Sequence, residues 1–81
     1  MNSVELKAKW AKDANKHLKG RRIVSVRWLT AAEVESMGWY SSAPVLELDN
    51  GTALYCSRDD EGNDAGALFT NIEEFPTLPV I

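Results

Sequence analysis

A chain of 81 residues is long enough for one domain and too short for two, and 44% hydrophobic with 26% charged residues excludes disorder over most of its length. Cys56 is the single cysteine, which excludes an internal disulfide and a cysteine metal cage and points to a reducing, cytoplasmic home. The net charge of −3 is unevenly spread: residues 1–30 carry eight Lys and Arg against two acids, and residues 31–81 carry one Arg against ten acids. Such a split suggests either a basic or an acidic contact face, or two halves that neutralise each other within one fold. No apolar run approaches the roughly 20 residues of a membrane span, so no membrane role is expected. Residues 1–20 lack the apolar stretch of a signal peptide.

Residues 3–19 are predicted to be helical. Asn2 or Ser3 can accept a hydrogen bond from a free amide of the first turn. At about 100° per residue, Val4, Leu6, Ala8, Trp10, Ala11, Ala14, His17 and Leu18 share one side. Glu5, Lys9, Lys12, Asp13, Lys16 and Lys19 share the other, and only Lys7 intrudes on the apolar side, where a lysine can snorkel outward. Gly20 stands where a helix often ends in a left-handed residue. Residues 22–29 alternate as a strand, with Val24, Val26 and Trp28 expected to face the core.

Thr30-Ala31-Ala32-Glu33 is a capping-box pattern. It predicts a short helix over about residues 31–37, stopped by Gly38, and then a loop through Trp39 and Tyr40. Pro44 opens the next strand from a position that needs no donor. Leu48-Asp49-Asn50-Gly51-Thr52 is a hairpin signal. Two registers compete. The one with a three-residue turn and Gly51 left-handed puts Leu46, Leu48, Leu54 and Cys56 on one apolar face and sends Glu47, Asp49, Ala53 and Tyr55 outward. It gives the cleaner burial pattern and is preferred. Residues 57–66 read as a polar loop, Ala67–Phe69 as a short strand, and Asn71–Phe75 as a turn. Residues 76–81 are expected at a sheet edge because of Pro76 and Pro79. The expected fold is α+β: a single domain over 1–81 with an N-terminal amphipathic helix packed on a small antiparallel β-sheet of three to five strands, plus a short second helix.

The acidic loop offers oxygens to a divalent cation at Asp59, Asp60, Glu61 and Asp64, the donor type that Ca²⁺ and Mg²⁺ prefer. The alternate spacing of an EF-hand is missing, since three acids run consecutively. A turn shaped by Gly62 and Gly66 explains the same residues. The segment Arg58-Asp59-Asp60-Glu61-Gly62-Asn63, followed by Gly66-Ala67-Leu68-Phe69, resembles a motif of small bacterial proteins of uncharacterised function. Gly20, Arg21 and Ile23, then Gly38 and Trp39, and then Leu48 to Gly51 extend the resemblance over about residues 20–70. It implies no activity and carries over no catalytic residue.

His17 and Cys56 could form a nucleophilic pair only if the fold brought them together beside an orienting acid. A packed or edge histidine and a small apolar core cysteine are the more usual reading of such lone residues. Lys9, Lys12, Lys16 and Lys19, with Arg21 and Arg22, could meet nucleic-acid phosphates. That face lacks aromatic side chains for base stacking, so nucleic acid is a disfavoured partner. The leading expectation is a non-enzymatic binding domain with no cofactor and an unknown partner, for which a protein is one option. Its contacts would lie at Arg58, Asp59, Asp60, Glu61 and Asn63 and at the Trp39-Tyr40 loop, which Tyr55 could extend into an aromatic patch, the even alternative being that Trp39 folds back to cap the core. The alternatives are a cation site in the acidic loop or a weak nucleic-acid surface on the helix. Homodimerisation is a further option, because Leu78, Val80 and Ile81 invite strand pairing while Pro76 and Pro79 blunt it.

Overall fold

In the computed structural model, which describes residues 2–57 and 64–81, the chain runs through helix α1 (Ser3–Leu18), strand β1 (Ile23–Trp28), helix α2 (Ala31–Met37) and strands β2 (Pro44–Leu48), β3 (Ala53–Cys56), β4 (Leu68–Thr70) and β5 (Thr77–Leu78). The strands pair in chain order, each antiparallel to the next, so the sheet is a five-stranded meander and the class is α+β.

Local chemistry sets the helix ends. The Asn2 side chain accepts from the Glu5 amide at 2.9 Å and starts α1. After Lys19, Gly20 takes φ +78° and lets Arg21 N–H close a tight turn on the Leu18 carbonyl at 3.1 Å. In α2 the capping box is complete: Glu33 N–H donates to Thr30 Oγ1 at 3.2 Å, and Thr30 N–H donates to Glu33 Oε1 at 2.7 Å. Gly38 ends it at φ +71°, with Trp39 N–H reaching back to Val34 C=O and Gly38 N–H to Glu35 C=O. This double closure is a Schellman motif.

The hairpin adopts the three-residue turn. Leu48 N–H donates to Thr52 C=O at 2.8 Å, Gly51 N–H to Leu48 C=O at 3.1 Å, and Gly51 sits at φ +84°. Leu46 therefore opposes Leu54, and Val45 opposes Tyr55. Asn71 braces the turn from the end of β4. Its Oδ1 accepts from Ala53 N–H at 2.8 Å, and its Nδ2 donates to Gly51 C=O at 3.0 Å.

The register gives the sheet two working faces. Val26, Trp28, Leu46, Leu48, Leu54, Leu68 and Thr70 share one, and Arg27, Val45, Glu47, Tyr55 and Phe69 share the other. The second face, expected to look outward, is covered instead: Val45 on it is 1% exposed. The α2 unit lies on this side, with Trp39 against Tyr55 and Phe69 at centroid distances of 6.2 and 6.3 Å. Helix α1 joins the fold at the opposite end of the sheet. Trp10 and His17 pack on Phe75, in the β4–β5 connection, at 5.6 and 4.9 Å. Phe75 is buried, and its carbonyl accepts from the buried Thr70 hydroxyl at 2.6 Å.

Two expectations fail in β1 and β3. Val24, Val26 and Trp28 do not face a core but are more than half exposed, and Leu29 just beyond them is buried instead. Cys56, expected on the core face, is exposed. The reason in both cases is coverage: β1 is an edge strand and α1 is anchored at the far side, so alternation alone could not tell a covered face from an open one.

Two stability measurements test this frame. Gly51→Ala meets no atom but must hold a left-handed backbone, so denaturant unfolding is expected to show a loss of about 1–2 kcal/mol, and Gly51→Asn a smaller one. Phe75→Ala removes the ring on which α1 rests, and a loss of roughly 3–5 kcal/mol is expected, with amide exchange in α1 accelerating more than in β2 and β3.

Candidate functional site

The most heavily bonded side chains form a polar network on the α2 side of the sheet. The Arg27 guanidinium takes Glu33 in a two-pronged grip, with Nη1–Oε1 at 2.8 Å and Nη2–Oε2 at 3.2 Å. Its Nε lies 3.5 Å from Glu47, and Glu47 accepts from the Ser25 hydroxyl at 2.6 Å. β1, β2 and α2 are thus joined through one cation and two carboxylates. The paired Arg27, followed by the Thr30 amide, holds the Glu33 carboxyl down at about 2, well below its ordinary 4.5. The Ser25 hydroxyl, and then Arg27, lower Glu47 as well. Arg27 is raised in turn, chiefly by its bonds to Glu33. Both carboxylates are stabilised as anions, the opposite of what a general acid requires.

An open groove lies where β1 and β3 finish and β2 begins. It encloses about 860 Å³, and Trp28, Trp39, Tyr40, Pro44, Cys56 and Ser57 line it. Tyr40 is fully exposed, standing away from its neighbour Trp39, which is half-buried against Tyr55 and Phe69. The expected Trp39–Tyr40–Tyr55 surface patch is thereby split: Trp39 and Tyr55 pack the α2 face, and Tyr40 alone projects.

The groove opens onto the free edge of the sheet. The alternation of antiparallel bonds fixes which β1 groups are unpaired. Leu29 N–H donates to Ala43 C=O at 3.0 Å, and Trp28 opposes Pro44, which has no N–H to give. Arg27 and Ser25 are therefore the residues bonded to β2, and Val26 and Trp28 turn their N–H and C=O to the open side. One lone pair of the Trp28 carbonyl takes Arg27 Nη1 at 3.2 Å. An extra residue, Val24, sits at a bulge between Ile23 and Ser25. Ile23, Val24, Val26 and Trp28 are all more than half exposed.

The other residues singled out from the sequence fall as follows. Arg58, Asp59, Asp60, Glu61 and Asn63 lie outside the described residues. Asp64 is exposed and accepts from the Ala65 amide at 2.8 Å. Among the described residues no group of three or more His, Cys, Asp and Glu is placed to hold a metal ion. His17 is stacked on Phe75, and Cys56 lines the groove at the end of β3. Of the basic side chains, Lys9 pairs with Asp13 at 3.6 Å and lies over Trp10, and Arg21 faces Asp49 at 3.8 Å. No described helix is long and apolar enough to cross a membrane. The open β1 edge escaped sequence reasoning altogether. A signal for it was present, since the strand has apolar residues at four of six positions and only one charge, Arg27.

No protein-family model, curated protein or solved structure matches this chain.

The network predicts a pH dependence of definite sign. Because Glu33 is lowered in the folded state, its contribution is present above pH 4.5 and is lost as pH falls towards 2. Acid unfolding of Glu33→Gln is expected to be flatter than wild type across that window. An NMR titration of the wild-type Glu33 carboxyl with a midpoint near 4.5 would contradict the grip described above.

Proposed function

We propose that this chain is a non-enzymatic binding domain that takes an extended segment of a protein partner along the free edge of β1. The observation that carries the reading is the contrast between the two sheet edges. β5 is two residues long and flanked by Pro76 and Pro79, which suits an edge closed to further pairing. β1 is six residues long, carries no proline or lysine, and exposes Val24, Val26 and Trp28. Its one charge, Arg27, is drawn back to Glu33 and Glu47. Unpaired main-chain groups supply affinity in strand addition, and side-chain pockets supply choice of sequence. The groove beside Trp28 and Tyr40 is such a pocket, with aromatic walls suited to an apolar side chain of the partner. In this reading the exposed Tyr40 makes the contact, and Trp39 lines the groove from its packed position against Tyr55 and Phe69.

A displayed library of short peptides, selected on the intact chain and mapped by amide chemical shifts, tests this. Selected sequences are expected to alternate apolar residues, to move the amides of Val24, Val26, Trp28 and Tyr40, and to lose binding in Tyr40→Ser. Absence of enrichment, or shifts confined to α1, would overturn the reading.

A further inference from the structure

We infer that the segment added to β1 is β1 of a second copy, so that two chains form one continuous ten-stranded sheet; this rests on the reading of β1 as an open pairing edge. The strand is self-complementary when it is run antiparallel to itself about Val26. In that register Val26 meets Val26 of the second copy, Trp28 meets Val24, and Arg27 meets Ser25. Val26 and Trp28 share one face and are more than half exposed there, and Val24 stands exposed at the bulge between Ile23 and Ser25, so apolar side chains meet apolar side chains. On the other face polar side chains meet. The Arg27 cation lands beside Ser25, whose hydroxyl is bonded to Glu47 at 2.6 Å, and the two-fold axis repeats this contact. No like-charged pair is brought face to face, because Arg27 stands opposite Ser25, and its cation is balanced by Glu33 and Glu47 within its own chain.

The backbone agrees with this register. Val26 offers an N–H and a C=O to the open side, and a pair of valines on the axis would exchange both bonds. The Trp28 carbonyl keeps a second lone pair beside its bond to Arg27. The bulge at Val24 bounds the pairing at one end, and the Trp28–Tyr40 groove lies at the other. A stable interface takes about 800 Å² from each partner. A six-residue strand covers only part of that, so the association is reversible and concentration-dependent.

Sedimentation of the intact chain from micromolar to millimolar concentration is the first test, with a monomer–dimer equilibrium expected. Val26→Lys puts two cations opposite each other on the axis and is expected to weaken the dimer roughly tenfold or more. Val80→Lys, at an exposed position beyond the opposite edge, is expected to leave it unchanged. A second variant reads the register directly. Hydrogen-bonded antiparallel pairs hold their Cα atoms about 5.5 Å apart, inside the span of a disulfide. In a Cys56→Ser background, Val26→Cys is therefore expected to cross-link into a dimer under mild oxidation much faster than Val80→Cys. Equal rates, or a dimer indifferent to Val26→Lys, would overturn the inference. A monomer at every concentration whose selected peptides still map to β1 would overturn the second copy alone. A monomer without such peptides would overturn the binding reading with it.

Discussion

The arrangement depends on one backbone constraint, the left-handed conformation at Gly51. With Gly51 at φ +84° the hairpin closes over three residues, and Leu46 opposes Leu54. Side chains alternate strictly along a strand, so a slip of one residue would exchange every face. Two consequences follow from the register. Val45 comes beside Tyr55 and Phe69, beneath Trp39, which builds the core on the α2 side. Glu47 comes beside Ser25 and Arg27, which lets one guanidinium bind carboxylates from β2 and α2 together. Asn71 reinforces the turn from outside the hairpin, by bonding both Gly51 C=O and Ala53 N–H.

What was legible in the sequence was what short-range chemistry decides. Thr30 with Glu33, Gly38, Asn2 and Asn50-Gly51 each act within a few residues, and each is found with the bonds its pattern requires. The hairpin register was legible too, because only one alternative gave a clean apolar face. Burial was less legible. Alternation shows that a strand has two unlike faces, but which is covered depends on where the helices dock. The α2 unit closes the face of Tyr55, which reads as amphipathic and ambiguous, while α1 is anchored on Phe75 far along the chain. Nothing local in Val24, Val26 and Trp28 distinguishes an open edge strand from a central one. The same limit applies to Cys56, whose exposure follows from its place at the end of β3.

The candidate site was legible only in part, for a related reason. Trp39 and Tyr40 are adjacent and chemically alike, yet the Schellman closure of α2 directs one ring into the Tyr55–Phe69 cluster and leaves the other in solvent. The acidic loop attracted notice because its residues are dense in oxygen. Its described member, Asp64, bonds the next amide in the chain, which is local turn chemistry. The charge split between the two halves resolves partly into internal pairs. Arg27 from the basic half holds Glu33 and Glu47 from the acidic half, and Arg21 faces Asp49.

An exposed apolar edge is costly to keep in so small a fold. Small domains bury a limited share of their surface. Here Val45 is the one side chain below 2% exposure among the described residues, and α1 has none that is fully buried. Moving Val26 and Trp28 inward would add core without lengthening the chain, and a lysine on β1 would guard the edge. Neither device is present, while β5 carries prolines on both sides and Arg27 is tied down by two carboxylates. The network therefore has a second effect besides linking three elements. It neutralises the one charge of β1, Arg27, whose Nη1 also holds the Trp28 carbonyl at the edge. Any chain that pairs with β1 also buries apolar surface that the monomer leaves wet. Pairing then draws the folding equilibrium with it, because a partner that binds only the native sheet stabilises that sheet by mass action.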